Sequence, residues 1–261
     1  MIDFIEEIAR GAGEMLLTFF KKGIEVRKKG DQAQVVTDAD EMSEKFIIEK
    51  IKEKFPAHMI LAEESGLIGD KSEDVWIIDP LDGTSNFAAN IPLWGVMIAH
   101  LRSGEVLESA CFVPFFNDMY TAQKGKGAFL NGETISVSGE ENLENMLGFY
   151  SLDATADQEK LKHELSIIED IVQNMRNLRA TGTLLDMLYV ADGRAGIVAN
   201  QVQKVWDLAA PFLILQEAGA KVTDINGKGI QFILEGEDMF KTYSVLAASP
   251  ILHDHFLKSI T

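Results

Sequence analysis

Basic residues are scarce: 24 Lys and Arg stand against 41 Asp and Glu, a formal charge of −17. Affinity for a nucleic-acid backbone rests on clustered Lys and Arg, so no nucleic-acid partner is expected. Cysteine is nearly absent as well. The single Cys111 excludes an intrachain disulfide, and its place in the apolar run ESACFVPFF reads as a small buried thiol rather than a nucleophile. No apolar stretch reaches the roughly 18 residues that a membrane-spanning helix needs. The N-terminal MIDFIEEIARGAGEMLLTFF sets Glu6, Glu7 and Glu14 where a signal peptide would carry early basic residues and a clean apolar run, so a cytoplasmic protein is expected. Internal repeats, low-complexity tracts and Pro/Ser-rich linkers are missing too.

What is present suits a globular enzyme. The 261 residues, 46% hydrophobic and 25% charged, suffice for a substantial core in one domain or in two tightly joined halves. The surplus of carboxylate has two readings: solvated surface, or a set fixed around divalent cations that carry a phosphorylated substrate.

Phe4, Ile5, Ile8, Ala12, Met15, Leu16 and Phe19 recur at three- and four-residue spacing, which predicts a helix ending near Lys21, Lys22 and Gly23. KKGDQAQVV, 28–36, lacks periodicity and reads as an irregular connection. A second helix follows Asp40 and runs to about Phe55. MILA (59–62) and VWII (75–78) are strand-length apolar runs, and each delivers acid at its end: Glu63 and Glu64, then Asp79. From 94 to 138 the pattern is that of an antiparallel sheet, with turns at Ser103-Gly104 and Asn131-Gly132. Beyond about residue 140 strands and helices alternate, including helices at 157–175, around LLDMLYVADG and at 208–218. An α+β half (1–140) followed by an α/β half (141–261) is therefore expected.

The stretch DPLDGTSNF, 79–87, holds the densest chemistry. Asp79 ends a buried strand and Pro80, lacking a donor, is expected to stop it, which turns the Leu81 carbonyl and the Asp82 carboxylate toward one point. That is a hard-oxygen pocket of the kind Mg²⁺ takes. Gly83, Thr84 and Ser85 follow, and amides at the start of a helix there would face a phosphate. Taken alone, the same residues also describe an Asp-Gly turn with a hydroxyl cap. Likewise Asp40 and Asp207 each read as helix caps, with Pro211 tolerated in a first turn.

Three further segments stand in a fixed order around this one: VTDAD with Asp40, the pair Glu63-Glu64, and VWDLAAPFLILQEAG with Asp207. E-E-S, D-P-x-D-G-T-x-N-F and W-D-x-A together resemble the inositol monophosphatase family of Mg²⁺-dependent, lithium-sensitive sugar-phosphate phosphatases, over essentially the whole chain. The resemblance implies a five-layer α-β-α-β-α sandwich, a cytoplasmic homodimer, a small-molecule phosphate monoester as partner, and no membrane. It implies two to three Mg²⁺ ions, held by Glu63, Asp79, the Leu81 carbonyl, Asp82 and Asp207. It further implies attack by a metal-activated water that Glu63 and Thr84 polarise, with Asp40 hydrogen-bonded to that threonine. Gly83, Thr84 and Ser85 would meet the phosphate, and Lys29 would sit in a loop associated with the metals.

On the substrate side Gly182 and Thr183 fall on the family's G-T/S-A segment, with Leu184 in place of the usual alanine. Asn200 stands where the animal enzymes carry an acidic contact to inositol, seven residues before Asp207. Inositol 1-phosphate is the leading expected substrate, with the 2′-phosphate of NADP and fructose 1,6-bisphosphate as alternatives. A phospholigand-binding scaffold without turnover is the rival of another class, and the intact carboxylate set speaks against it.

Overall fold

A computed structural model describes residues 1–22, 26–28, 35–152 and 154–260. Lys29 lies outside the described residues. The first helix, α1 (Ile2–Lys22), turns Ile5, Ile8, Ala9, Ala12 and Leu16 into the core, as the apolar spacing predicts. The expectation of irregular chain at 28–36 is corrected at both ends, because β1 (Val26–Lys28) and β2 (Val35–Thr37) pair antiparallel. α2 (Asp38–Lys54) begins before Asp40, which therefore lies inside the first turn, buried, rather than at the cap.

Two sheets follow. The larger contains β3 (Met59–Ala62), β4 (Gly66–Ile68), β5 (Asp74–Asp82), β6 (Gly95–Arg102), β7 (Glu105–Val113), β8 (Asp118–Gln123), β9 (Gly127–Leu130) and β10 (Glu133–Ile135), with the short α3 (Thr84–Ala88) between β5 and β6. Its order is β10-β9-β8-β7-β6-β5-β3-β4, antiparallel throughout except for the parallel pair β3 and β5. The smaller sheet contains β11 (Leu147–Tyr150), β12 (Asn177–Arg179), β13 (Ile197–Gln203), β14 (Lys221–Thr223) and β15 (Tyr243–Ala248), in the order β12-β11-β13-β15-β14. The helices of this half are α4 (Gln158–Asn174), α5 (Leu185–Ala191), α6 (Val205–Glu217) and α7 (Pro250–Ile260). The short β12 and the terminal α7 were not foreseen in the sequence.

Period-2 alternation along each strand divides the burial into three cores, and the cores define the layers. Trp76, Ile78, Val96, Ile98, Ala110 and Phe112 face α1 and α2. Val75, Ile77, Met97, Ala99 and Cys111 face the other way and pack with α5 and α6 between the sheets. Tyr150, Ile197, Ala199 and Leu246 cover the outer side of the smaller sheet with α4 and α7. This is the five-layer α+β sandwich. Cys111 lies inside it, and burial pushes its thiol well above the usual range, in keeping with a packing role.

At the start of β5 the face toward α1 and α2 carries a polar network instead of apolar packing. His100 sits between two carboxylates, with Nδ1 2.9 Å from Glu108 Oε2 and Nε2 3.0 Å from Asp74 Oδ1. Arg102 donates to the same aspartate from Nε at 2.9 Å and Nη2 at 3.1 Å. Burial acts to raise the Asp74 pKa, but the bonds from Arg102 and His100 outweigh it and hold the carboxyl below its usual 3.8. A depressed carboxyl pKa contributes stability that is complete above the unfolded value and lost as pH falls through the folded one. Asp74→Asn is therefore expected to destabilise the fold by about 2 kcal/mol at pH 7, with the difference from wild type shrinking below about pH 4. Urea melts of both proteins from pH 3 to 8 check it; a difference independent of pH would refute the ionic role.

Candidate active site

Two parallel strands that end side by side bring their terminal carboxylates together. β3 is followed by Glu63, whose N–H donates to the Ile78 carbonyl of β5 at 3.2 Å, and Asp79 comes next on β5. Asp79 and Asp82 are three residues apart, an odd offset that would point them to opposite faces of a regular strand. A bulge resolves this. Asp79 pairs with Met97 and Asp82 with Gly95, so Pro80 and Leu81 together stand opposite the single Val96. The extra residue reverses the parity: Leu81 joins Trp76 and Ile78 in the core under α1 and α2, and Asp82 turns with Asp79 toward the second half of the chain. Pro80 thus does not end the strand, as its missing donor had suggested; it occupies the bulge, where no donor is needed.

Hydrogen bonds fix the result. Asp79 Oδ1 accepts from the Leu81 amide at 3.0 Å, and Thr84 Oγ1 donates to the Leu81 carbonyl at 3.0 Å. Asp82 Oδ2 accepts from the Leu184 amide at 2.6 Å, a direct tie to the opposite wall. Gly83 is in the left-handed region at φ 83°, and an added Cβ would lie 2.7 Å from Thr183 Cγ2 and 2.9 Å from the Leu93 carbonyl. Only glycine lets the two walls approach so closely.

The second wall comes from the 181–184 turn, β13 and the start of α6. Asp186 organises the turn: it is buried and accepts from Ser151 Oγ at 2.6 Å, the Thr181 amide at 2.9 Å and Thr181 Oγ1 at 2.7 Å. Asn200 Oδ1 accepts from the Val202 amide at 3.0 Å, which leaves Nδ2 as its hydrogen-bonding group for a ligand. α6 begins at Val205, so Asp207 is inside the helix rather than at its cap, with Oδ2 accepting from the Lys204 amide at 2.8 Å. Pro211 consequently falls in the helix interior, not its first turn, and withholds the N–H that the Asp207 carbonyl would otherwise accept.

One cavity of about 180 Å³ collects most of the predicted residues: Glu63, Asp79, Leu81, Asp82, Gly83, Thr84, Gly182, Thr183, Asn200 and Asp207. Asp40 and Ser85 are not among its lining residues. Ser151, Asp186 and Gln203 line it without having been singled out in the sequence. An aspartate inside the apolar LLDML helix was the available signal for Asp186; Ser151 and Gln203 carried none.

Carboxylates line this cleft, and among the described residues no Lys, Arg or His does. Asp79, 1% exposed, is pushed well above the usual carboxylate range by burial first, then by the charges of Glu63, Asp82, Asp207 and Asp40. Asp82 is raised likewise by burial, with the Leu184 amide pulling against it and Asp207, Glu63 and Asp186 adding to the rise. Crowded carboxylates are hard oxygen donors, a set that fits divalent cations.

Among the described residues a second cluster has metal-ligand spacing: atoms of His58, Asp74 and His100 lie within 4.8 Å of one another. Its protons are already allotted. Trp76 Nε1, a donor only, points at His58 Nδ1 from 3.1 Å, which puts the proton of the neutral ring on Nε2, while Asp74 is taken by Arg102 and His100. His58 Nε2 then lies 3.8 Å from Asp74 Oδ2, beside a carboxylate already bonded within the network described above.

Comparison with known proteins agrees with this geometry. The chain is 31% identical over 262 residues to a fructose-1,6-bisphosphatase/inositol-1-monophosphatase of Thermotoga maritima, covering 99% of this chain and 95% of that one. It is 34% identical over 232 residues to the Nus factor SuhB of Xylella fastidiosa, covering 87% and 82%. The crystal structure of the extragenic suppressor protein suhB from Bartonella henselae superposes with a TM-score of 0.90 at 28% identity, covering 99% of this chain and 97% of that one. No helix among the described residues is long and apolar enough to cross a membrane. The match to the inositol monophosphatase family extends over residues 1–261, and with the paired sheets and their shared carboxylate cleft it places this chain in that family of phosphatases.

Proposed function

We propose that the chain is a Mg²⁺-dependent phosphomonoesterase acting on inositol 1-phosphate. The observation that carries the reading is the cleft itself: five lining carboxylates, three of them, Asp79, Asp82 and Asp186, with raised pKa values. Glu63, Asp79, the Leu81 carbonyl, Asp82 and Asp207 are the groups that would hold the cations. Bound there, divalent ions neutralise phosphate charge and lower the pKa of water, which supplies a nucleophile and stabilises both attacking and leaving oxygens.

The chain's own residues then have distinct tasks. Glu63, at the edge of the cleft, accepts the proton lost by the attacking water. Thr84 spends its hydroxyl proton on the Leu81 carbonyl, so its oxygen remains an acceptor toward that water. Gly83 and Thr84, with Ser85 behind them, are the phosphate side of the cleft. Asp40, buried in α2, adds negative charge behind Asp79 and strengthens the demand for a cation. Gly182, Thr183 and Asn200 are the readers of the alcohol portion, with Asn200 Nδ2 donating to a hydroxyl. Hydrolysis of fructose 1,6-bisphosphate by the same groups is the second reading, favoured by the neutral Asn200 and by the name of the Thermotoga maritima relative; the 2′-phosphate of NADP is the further alternative.

Phosphate release with and without Mg²⁺ from inositol 1-phosphate, fructose 1,6-bisphosphate, NADP and adenosine 3′,5′-bisphosphate tests this. Mg²⁺-dependent release led by inositol 1-phosphate is expected, and no release from any of the four would overturn the assignment. Asp82→Asn is expected to lower kcat by at least about 100-fold with an unchanged circular dichroism spectrum; retained turnover would remove Asp82 from the cation set.

The crowding has a cost that stability measurements expose. Without a cation, an ionised Asp79 faces four carboxylates, so Asp79→Asn is expected to raise the melting temperature in the presence of a chelator, by about 1 kcal/mol of stability. Millimolar Mg²⁺ is expected to stabilise wild type and leave the variant nearly unmoved. A variant that melts lower than wild type in chelator would show that the charges are not in conflict.

A further inference from the structure

Helix α2 reaches both carboxylate-bearing strand ends from behind, through side chains that line no part of the cleft. Glu44 is 2% exposed, and both of its carboxylate oxygens are bonded. Oε2 accepts from the Glu64 amide at 2.9 Å, and Oε1 accepts from the Ser65 amide at 2.9 Å and also from Ser65 Oγ. Those two amides are the first after Glu63. One residue earlier, Ser43, fully buried, donates from Oγ to the Pro80 carbonyl at 2.9 Å, in the bulge between Asp79 and Leu81.

From this we propose that Ser43 and Glu44 are positioning residues that set the distance between the Glu63 turn and the Asp79–Leu81 bulge, and so tune cation affinity. The inference rests on the function proposed above. Glu63 and Asp79 repel one another, and Glu63 sits past the last pair of β3, on a turn that leads into β4 at Gly66. A turn so loaded would relax away from the bulge. Glu44 opposes the relaxation with three bonds to two consecutive residues, and Ser43 ties the opposite strand to the same helical turn. Burying a carboxylate is unfavourable unless its oxygens are bonded, and among the described residues its bonds go to the turn that follows Glu63. Glu64, which reads in the sequence as a neighbour of Glu63, contributes its backbone to this anchor.

Calorimetric titration of Mg²⁺ into the chelator-treated chain reads the effect without reference to turnover. Glu44→Gln keeps the size of the side chain but sets an amide NH₂ against a backbone N–H. It is expected to weaken cation binding by about tenfold or more, with kcat at saturating inositol 1-phosphate partly restored by added Mg²⁺. A merely structural role would lower the melting temperature without moving the Mg²⁺ midpoint. Ser65→Ala, which removes only one of the three bonds, is expected to weaken binding by about two- to threefold. Should Glu44→Gln fail to fold, the double variant Ser43→Ala/Ser65→Ala keeps the carboxylate and carries the same test. Wild-type affinity in the folded variants would overturn the positioning role alone. Wild-type protein that binds no Mg²⁺ would overturn the reading of the cleft, and the positioning role with it.

Discussion

Repulsion among carboxylates at the junction of two sheets is the constraint around which the structure is arranged. Left to themselves, Glu63, Asp79, Asp82 and Asp207 would separate into solvent. Three of them are instead restrained by backbone: Asp79 by the Leu81 amide, Asp82 by the Leu184 amide, Asp207 by the Lys204 amide. Amide donors lower the cost of ionisation without neutralising it. The charge is thus contained but not cancelled, which is the condition under which an exchangeable cation can do what a fixed arginine would do permanently.

Containment needs rigidity, and the layers provide it. The cleft sits where the central core, filled by α5 and α6, meets the edges of both sheets. Asp82 bonds across to Leu184, Asn86 Nδ2 donates to the Thr181 carbonyl at 2.9 Å, and Gly83 allows Thr183 to close in. These ties cross from the strand-rich half to the alternating half, so the two walls of the cleft are registered to each other by the site as well as by the core. Asp186 serves the second wall as the bulge serves the first: it gathers the donors of a short turn that has few other partners.

Much of this was legible in the residues. Apolar periodicity gave α1, α2 and α4 nearly to their ends, and strand-length apolar runs ending in acid gave Glu63 and Asp79, because the buried part of a strand gives way to charge where it reaches the cleft. The D-P-x-D-G order pointed to converging carboxylates, but for a partly mistaken reason. Proline was read as the end of a strand, whereas pairing with β6 continues past it and the convergence comes from a change of parity. Pairing partners are nonlocal, and no window of sequence contains them. The same limit explains α6, which begins three residues earlier than its apolar run suggested, and Ser151, whose partners Gly182 and Asp186 lie more than 30 positions away. Ser43 and Glu44 were not singled out in the sequence; only the tertiary fold turns that face inward.

The bulge in β5 has a consequence for how such a site tolerates change. Substitution alters what a side chain is, but the side on which Asp82 emerges is settled by how the two residues between it and Asp79 pair with β6. Smoothing the bulge into regular pairing with both Pro80 and Leu81 kept would deliver Asp82 to the greasy layer beneath α1 and α2, with every residue of the motif still present. The site is written in register as much as in chemistry: a one-residue slip of the end of β5 along β6 would scatter it without exchanging a single amino acid.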